Sequence, residues 1–330
     1  MFSLKKVFEE TFLRNCILCV PKSNLLYFVA RSRLVDVIEL KTKKLINTID
    51  MESHVQDLQI TSCANFLLAA CSDGNAKVVN LNTEKVVTFQ GHSRCVYCII
   101  ECGDKDVLTG SGDTNICRWD RFTGKLICTY VGHIGFIHFI VFDVKTNIIF
   151  SGSGYQEIFL WNAETGDKIG ELKGHKKWIT SLLLLNDTTI VSGSGDKTLK
   201  IWDIPSRKEI MSIHCHESPV NSLVLSPDGQ FLLSGSWDET IRVWSVATGQ
   251  CANKISCNDK WLTQVKVTAD GRYLFVGYPH GYEINEITPA FAPVIHQSMV
   301  EVNGNRCTMK LLTNGTMVDE KGDEIEIKKK

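Results

Sequence analysis

The pair Gly-His occurs at 91–92, 132–133 and 174–175, and Cys215-His216 continues the series, so that His92, His133, His175 and His216 recur at a nearly constant interval. Trp119, Trp161, Trp202 and Trp244 keep pace, each at an almost fixed offset after its histidine. A third marker runs in the same register: TGSGD, SGSGY, SGSGD and SGSWD set Asp113, Tyr155, Asp196 and Asp238 six positions before those tryptophans. Three markers in one register are not a product of chance. A unit of about forty residues is too short for an independent domain, so each must cover its apolar faces with its neighbours.

Within a unit the chain reads as short β-type runs divided by turn residues. In the fifth, ITSLLLL, TIVSGS, LKIWDI and KEIMSI are apolar or alternating, and NDT, GDK and PSR break them. In the sixth, SPDG at 226–229 sets proline, aspartate and glycine where a tight turn needs them. Along LKIWDI, Leu199 and Ile201 face one way while Trp202 and Ile204 face the other. A sheet apolar on both sides must be sandwiched. Four-stranded sheets of about forty residues, each covered by the next, describe blades stacked radially around a channel.

The combination of GH, SGSxD and Trp-Asp (Trp119-Asp120, Trp202-Asp203) at this period resembles the WD-repeat β-propeller family. The expected fold is all-β, a closed β-propeller of four-stranded antiparallel blades. The strongest repeats span 92–256, and degenerate ones fill 13–91 and 257–330. One period beyond Trp244 lies Asn285 in YEINEI, and one period further lies Glu326 in DEIEIK. Eight such units almost fill the chain, so eight blades are favoured over seven. The resemblance then implies that residues 4–10 complete the last blade's sheet as a closing strand.

Serine, histidine and aspartate also suggest hydrolysis, with Ser192 as nucleophile, His175 as base and Asp196 as orienter. Multiplicity argues against it, because an enzyme needs one such set. Here the set recurs as His92/Thr109/Asp113, His175/Ser192/Asp196 and His216/Ser234/Asp238, accompanied by Trp119, Trp202 and Trp244. The resemblance implies a structural hydrogen-bonded tetrad in each. Blade 4 has His133, Ser151 and Trp161 but Tyr155 in place of the aspartate, so its network is expected to be incomplete.

Lys+Arg 36 against Asp+Glu 37 leaves a formal charge of −1, too little to gather nucleic acid or an anionic membrane, so direct binding to either is not expected. Thirteen cysteines without a secretory leader point to a reducing compartment, cytoplasmic or nuclear. CILC (16–19) and CVYC (95–98) have CxxC spacing, yet residues three apart on a strand face opposite sides, so they read as core thiols rather than metal ligands. No glycine loop opens a helix to cradle phosphate, and the GSG glycines are assigned to turns. No cofactor, metal or catalytic residue is expected.

In propellers that resemble this one, partners often dock on the face carrying the loops that enter each first strand. Carried over by position, the candidate contacts are Tyr97, His138, Thr180, Asn221 and Thr263, with Phe136, Trp178 and Trp261 two positions before three of them. Trp237 precedes a turn aspartate, and Arg94, Lys177 and Lys260 supply charge nearby. Tryptophan, tyrosine and arginine are the usual interface anchors. The function expected is a non-catalytic scaffold or adaptor holding a protein or peptide segment on this face, as a subunit of a larger complex. A substrate-recognition subunit of a ubiquitin ligase is the alternative, and an accessory subunit of an RNA- or DNA-associated complex comes after it.

Overall fold

The computed structural model describes residues 25–288 except 40, 41, 43, 258–260 and 280, and outside that span the strands 3–11, 17–19, 294–302, 305–312 and 317–318. Blade 5 shows how each sheet is made. Its strands Ile179–Asn186, Thr189–Ser194, Thr198–Asp203 and Lys208–His214 pair in antiparallel order, as the breaks at NDT, GDK and PSR require. The first three strands are largely buried, and the fourth is exposed along nearly its whole length.

The tight turn between second and third strands is built by its aspartate. Lys197 takes a left-handed φ of 73°, as do Thr114 (73°) and Glu239 (66°) at the equivalent places. That conformation is costly for residues with a Cβ. The carboxylates of Asp196, Asp113 and Asp238 offset it by accepting the N–H two positions on, at 3.0, 3.0 and 3.1 Å.

Six sheets of this kind span 17–50, 55–89, 96–130, 137–172, 179–214 and 220–256. The seventh consists of Gln264–Val267, Tyr273–Tyr278 and Gly281–Thr288, with Ser3–Thr11 antiparallel to Gly281–Thr288 as its fourth strand. Seven blades therefore replace the eight favoured from the period. Three strands within the stretch assigned above to degenerate repeats, Val294–Val302, Asn305–Leu312 and Met317–Val318, instead pair among themselves as a separate sheet. Glu326, the residue from which the eighth unit was counted, lies outside the described residues. Alternation of apolar and polar residues identifies a strand but not the sheet it joins: Val302 pairs with Asn305, and the sequence between them, Asn-Gly, is a dipeptide typical of hairpins.

Apolar clusters fill the spaces between adjacent sheets. One joins Phe150, Ile158 and Leu172 of blade 4 to Ile179, Ile190 and Trp202 of blade 5. Another joins Leu26, Phe28 and Ile38 of blade 1 to Phe275, Tyr282 and Ile284 of blade 7.

The second GSG glycine, Gly112 or Gly195, lies in the turn as expected, but the first belongs to this packing. Gly110, Gly152, Gly193 and Gly235 lie on second strands, where a Cβ would sit 2.6, 2.6, 3.0 and 2.5 Å from Ile137, Ile179, Val220 and Val265 of the next blade's first strand. A side chain there would push neighbouring blades apart.

Gly152→Ala is therefore expected to lower stability by about 1–3 kcal/mol, since stiff β-branched Ile179 cannot move aside. Gly154→Ala, whose nearest neighbour would be 3.8 Å away, should change the urea midpoint little. Equal midpoints for the two variants would refute the clearance role.

Candidate functional site at the channel mouth

The polar networks set the position of the loops that form this face. Asp196 accepts from Nδ1 of His175 at 2.8 Å, which leaves Nε2 to accept the Ser192 hydroxyl at 2.7 Å. Ser192 Oγ in turn accepts the Trp202 indole N–H at 2.8 Å. The same Asp196 oxygen accepts the Lys176 backbone N–H at 2.9 Å, fixing the chain just past the histidine.

Blade 6 repeats the chain through His216, Asp238, Ser234 and Trp244 at 2.8, 2.7 and 2.9 Å. Blade 3 does so through His92, Asp113, Thr109 and Trp119 at 2.8 Å throughout. Burial pushes the Asp196 and Asp238 carboxyls up, but the hydrogen bonds from histidine, threonine and backbone outweigh it and hold both well below the usual carboxylate range.

Blade 4 retains two of these bonds, His133 to Ser151 at 2.6 Å and Trp161 to Ser151 at 2.8 Å. Among the described residues no carboxylate bonds His133 Nδ1. The imidazole stacks instead on Phe159, 4.2 Å between centroids, with Lys168 Nζ 3.4 Å from the centroid of the same ring. Burial, with the Lys168 charge, pulls the His133 pKa down to about 4. In blade 2, His54 and Asp73 stand near the places of the histidine and aspartate but do not join: His54 bonds Gln56, and Asp73 bonds the Asn75 N–H.

First strands line a central cavity of about 630 Å³. Tyr97, His138, Thr180, Asn221 and Thr263 all border it, as do Trp178 and Trp237. Tyr97 lies 4.9 Å from His138 and 5.9 Å from Phe136, ring to ring, so three aromatic groups meet at one side of the mouth. The Trp178 indole lies over Gly195, where a Cβ would come within 2.4 Å of it. Phe136, Trp178, Trp237 and Trp261 are 42, 37, 42 and 62% exposed, so none is buried between loops. Arg94 and Lys177 are exposed, with Lys177 Nζ 5.8 Å from the Trp178 ring. Lys260 lies outside the described residues.

Gln56, Asp57, Gln264 and Lys266 also line the cavity, and sequence reasoning missed them. Gln56 stands one period before Tyr97, so the repeat would have found it had it been applied to the degenerate blade. Burial pushes the Asp57 carboxyl up, against the lowering effect of the Ile99 N–H that it accepts at 3.1 Å and of the Lys266 charge. Among the described residues the Thr180 and Thr263 hydroxyls find no hydrogen-bond partner. Cys98, the inner thiol of CVYC, is buried against the carbonyls of Gly110 and Ile137. Among the described residues no cluster of three His, Cys, Asp or Glu can hold a metal ion.

The fold and networks define a repeat propeller whose entry loops are pinned to its hairpins by His-Ser/Thr-Asp-Trp chains. The family described as "WD domain, G-beta repeat" matches residues 83–120, 166–203 and 207–245, each from a blade's outer strand through the third strand of the next. These stretches of the chain match WD repeats, and the sheets they belong to are blades of a β-propeller.

Relatives include a DENN domain and WD repeat-containing protein of Arabidopsis thaliana, 26% identical over 44% of this chain and 12% of its own length. Eukaryotic translation initiation factor 3 subunit I of Bombyx mori is 26% identical over 49% of this chain and 66% of its own. GID complex subunit 7 of Schizosaccharomyces pombe is 25% identical over 38% of this chain and 26% of its own. The chain thus spans between an eighth and two thirds of these relatives' lengths, two of which are subunits of complexes.

Trp202→Phe should lower stability by about 1–3 kcal/mol, because the ring body remains while Ser192 loses its indole donor. An unchanged denaturation midpoint would refute the tetrad's contribution in blade 5. For His133 the folded-state pKa lies below the unfolded value, so its neutral form is favoured by folding. Its contribution is complete above pH 6.5 and is lost as pH falls toward 4, by up to about 3 kcal/mol. Urea titrations between these limits should give a shallower pH dependence for His133→Gln than for the wild type.

Proposed function

We propose that the protein is a non-catalytic interaction scaffold that holds a segment of a partner protein across the mouth of its central channel. The observation that carries this reading is the set of partly exposed rings there, Trp178 and Trp237 bordering the cavity and Phe136 beside the cavity-lining Tyr97, with Trp261 exposed as well. Large rings left in water at a concave site bury area when a segment arrives, and their few rotatable bonds make the ordering cost small. The tetrads of blades 5 and 6 hold the loops beneath Trp178 and Trp237, so these two rings are preformed. The Ser192 hydroxyl is engaged with His175 and Trp202 and fully buried, which supports a structural role over a nucleophilic one.

Relatives that are subunits of complexes support a place for this chain in an assembly. The near-zero formal charge favours a protein segment over nucleic acid.

Affinity purification from the native cell tests this. Proteins recovered with the wild type should be depleted with the Trp178→Ala/Trp237→Ala/Trp261→Ala variant, each buried anchor being worth about 2 kcal/mol, or roughly thirtyfold in affinity. Circular dichroism should show an unchanged fold. Unaltered recovery with the folded variant would move the binding site off this face.

A further inference from the structure

Blade 4 gives up its network where it gains apolar surface. In blades 3, 5 and 6 the residue after the histidine is Ser93, Lys176 or Glu217, and its backbone N–H bonds the turn carboxylate at 3.0, 2.9 and 3.0 Å. Blade 4 has Ile134 there, 74% exposed, and Tyr155 in place of the carboxylate, 48% exposed. The Tyr155 ring does not fill the space of the missing carboxylate but lies against Gly135, where a Cβ would be 2.4 Å from it. Phe136 continues this surface toward Tyr97 and the channel.

Three hydrogen bonds made by an aspartate in the other blades are therefore forgone, and the replacing side chains face solvent instead of core. Single exposed apolar residues are ordinary, but a contiguous group that breaks a local rule without a packing gain marks a site of use.

The flanks are basic. Exposed Arg94 comes from blade 3 on one side, and exposed Lys176 and Lys177 from blade 5 on the other, where the Ile179 N–H bonds the Tyr155 carbonyl at 3.2 Å. Of the acids in this sector, Glu171 is paired with Lys168 and Lys173, and Glu157, two positions past Tyr155, lies within electrostatic reach of Lys173.

We propose that the blade 4 loop is the anchoring point for a partner segment carrying bulky apolar side chains beside acidic ones, the former seated on Ile134, Phe136 and Tyr155 and the latter facing Arg94, Lys176 and Lys177. This rests on the reading that a partner segment docks at the channel mouth, and it assigns the centre of that contact to blade 4. Tyr155 is then a residue kept for binding at the expense of blade 4's own stability.

A random peptide library displayed on phage and selected on the full chain tests this, followed by affinities of the recovered peptides, made synthetically, for variants. Peptides joining two or more bulky apolar residues to Asp or Glu are expected, weakening with salt. Their affinity should fall about thirtyfold in Ile134→Ser and in Tyr155→Asp. Tyr155→Asp, which restores the carboxylate for His133, should be at least as heat-stable as the wild type.

Peptides that bind these two variants normally but lose affinity for Trp237→Ala would overturn the blade 4 assignment and leave the channel-mouth reading standing. Peptides indifferent to all three variants, or no binders at all, would count against the channel-mouth reading itself. Recovery of basic peptides would overturn the partner's chemistry. Should Tyr155→Asp lose stability, the trade between binding and folding is refuted, and Ile134→Ser, altering only an exposed side chain, decides the docking.

Discussion

A serine or threonine hydroxyl held between an indole and an imidazole is the interaction on which the rest of this propeller depends. In blade 5, Ser192 Oγ accepts from Trp202 and donates to His175, which passes the chain on to Asp196. Each link alone nets about 1 kcal/mol, but an orphaned member in this buried setting costs about 1–3 kcal/mol. Removing one member therefore costs more than the single link it makes. It fixes the entry loop to the hairpin beside it, and those loops carry the side chains that face the channel mouth.

Spacing between blades is decided by a smaller feature. Second-strand glycines let Ile137, Ile179, Val220 and Val265 approach to within van der Waals contact of the neighbouring backbone. The first strands consequently converge on the axis, bringing Tyr97, His138, Thr180, Asn221 and Thr263 around one cavity although they lie on five separate blades. A candidate interface thus arises from residues a full repeat apart, with no local motif of its own.

Blade 4 shows what happens when one unit leaves the pattern. With Tyr155 in the turn, His133 keeps Ser151 but stacks on Phe159 where its counterparts bond a carboxylate. The fold tolerates the loss because the intact networks of blades 3 and 5 and the apolar clusters on both faces still hold the sheet. Stability spread over repeats in this way leaves a single unit free to be shaped by another demand.

The repeat, the four-strand unit and the tetrad members were legible in the sequence. Each rests on side-chain chemistry recurring at fixed spacing: an imidazole, a hydroxyl, a carboxylate and an indole that must find one another when buried. Blade number was not legible. The alternating segments after Thr288 carry the same pattern whether they form a blade or pair with one another, and only tertiary pairing distinguishes the two. Nor did GSG reveal that its first glycine clears space for the next blade, since the side chain it admits, Ile179 in the case of Gly152, belongs to the following unit of the chain. Local spacing determined which groups must meet within a unit, whereas the packing of one unit on the next decided how many units there are and which of their side chains are left facing the channel.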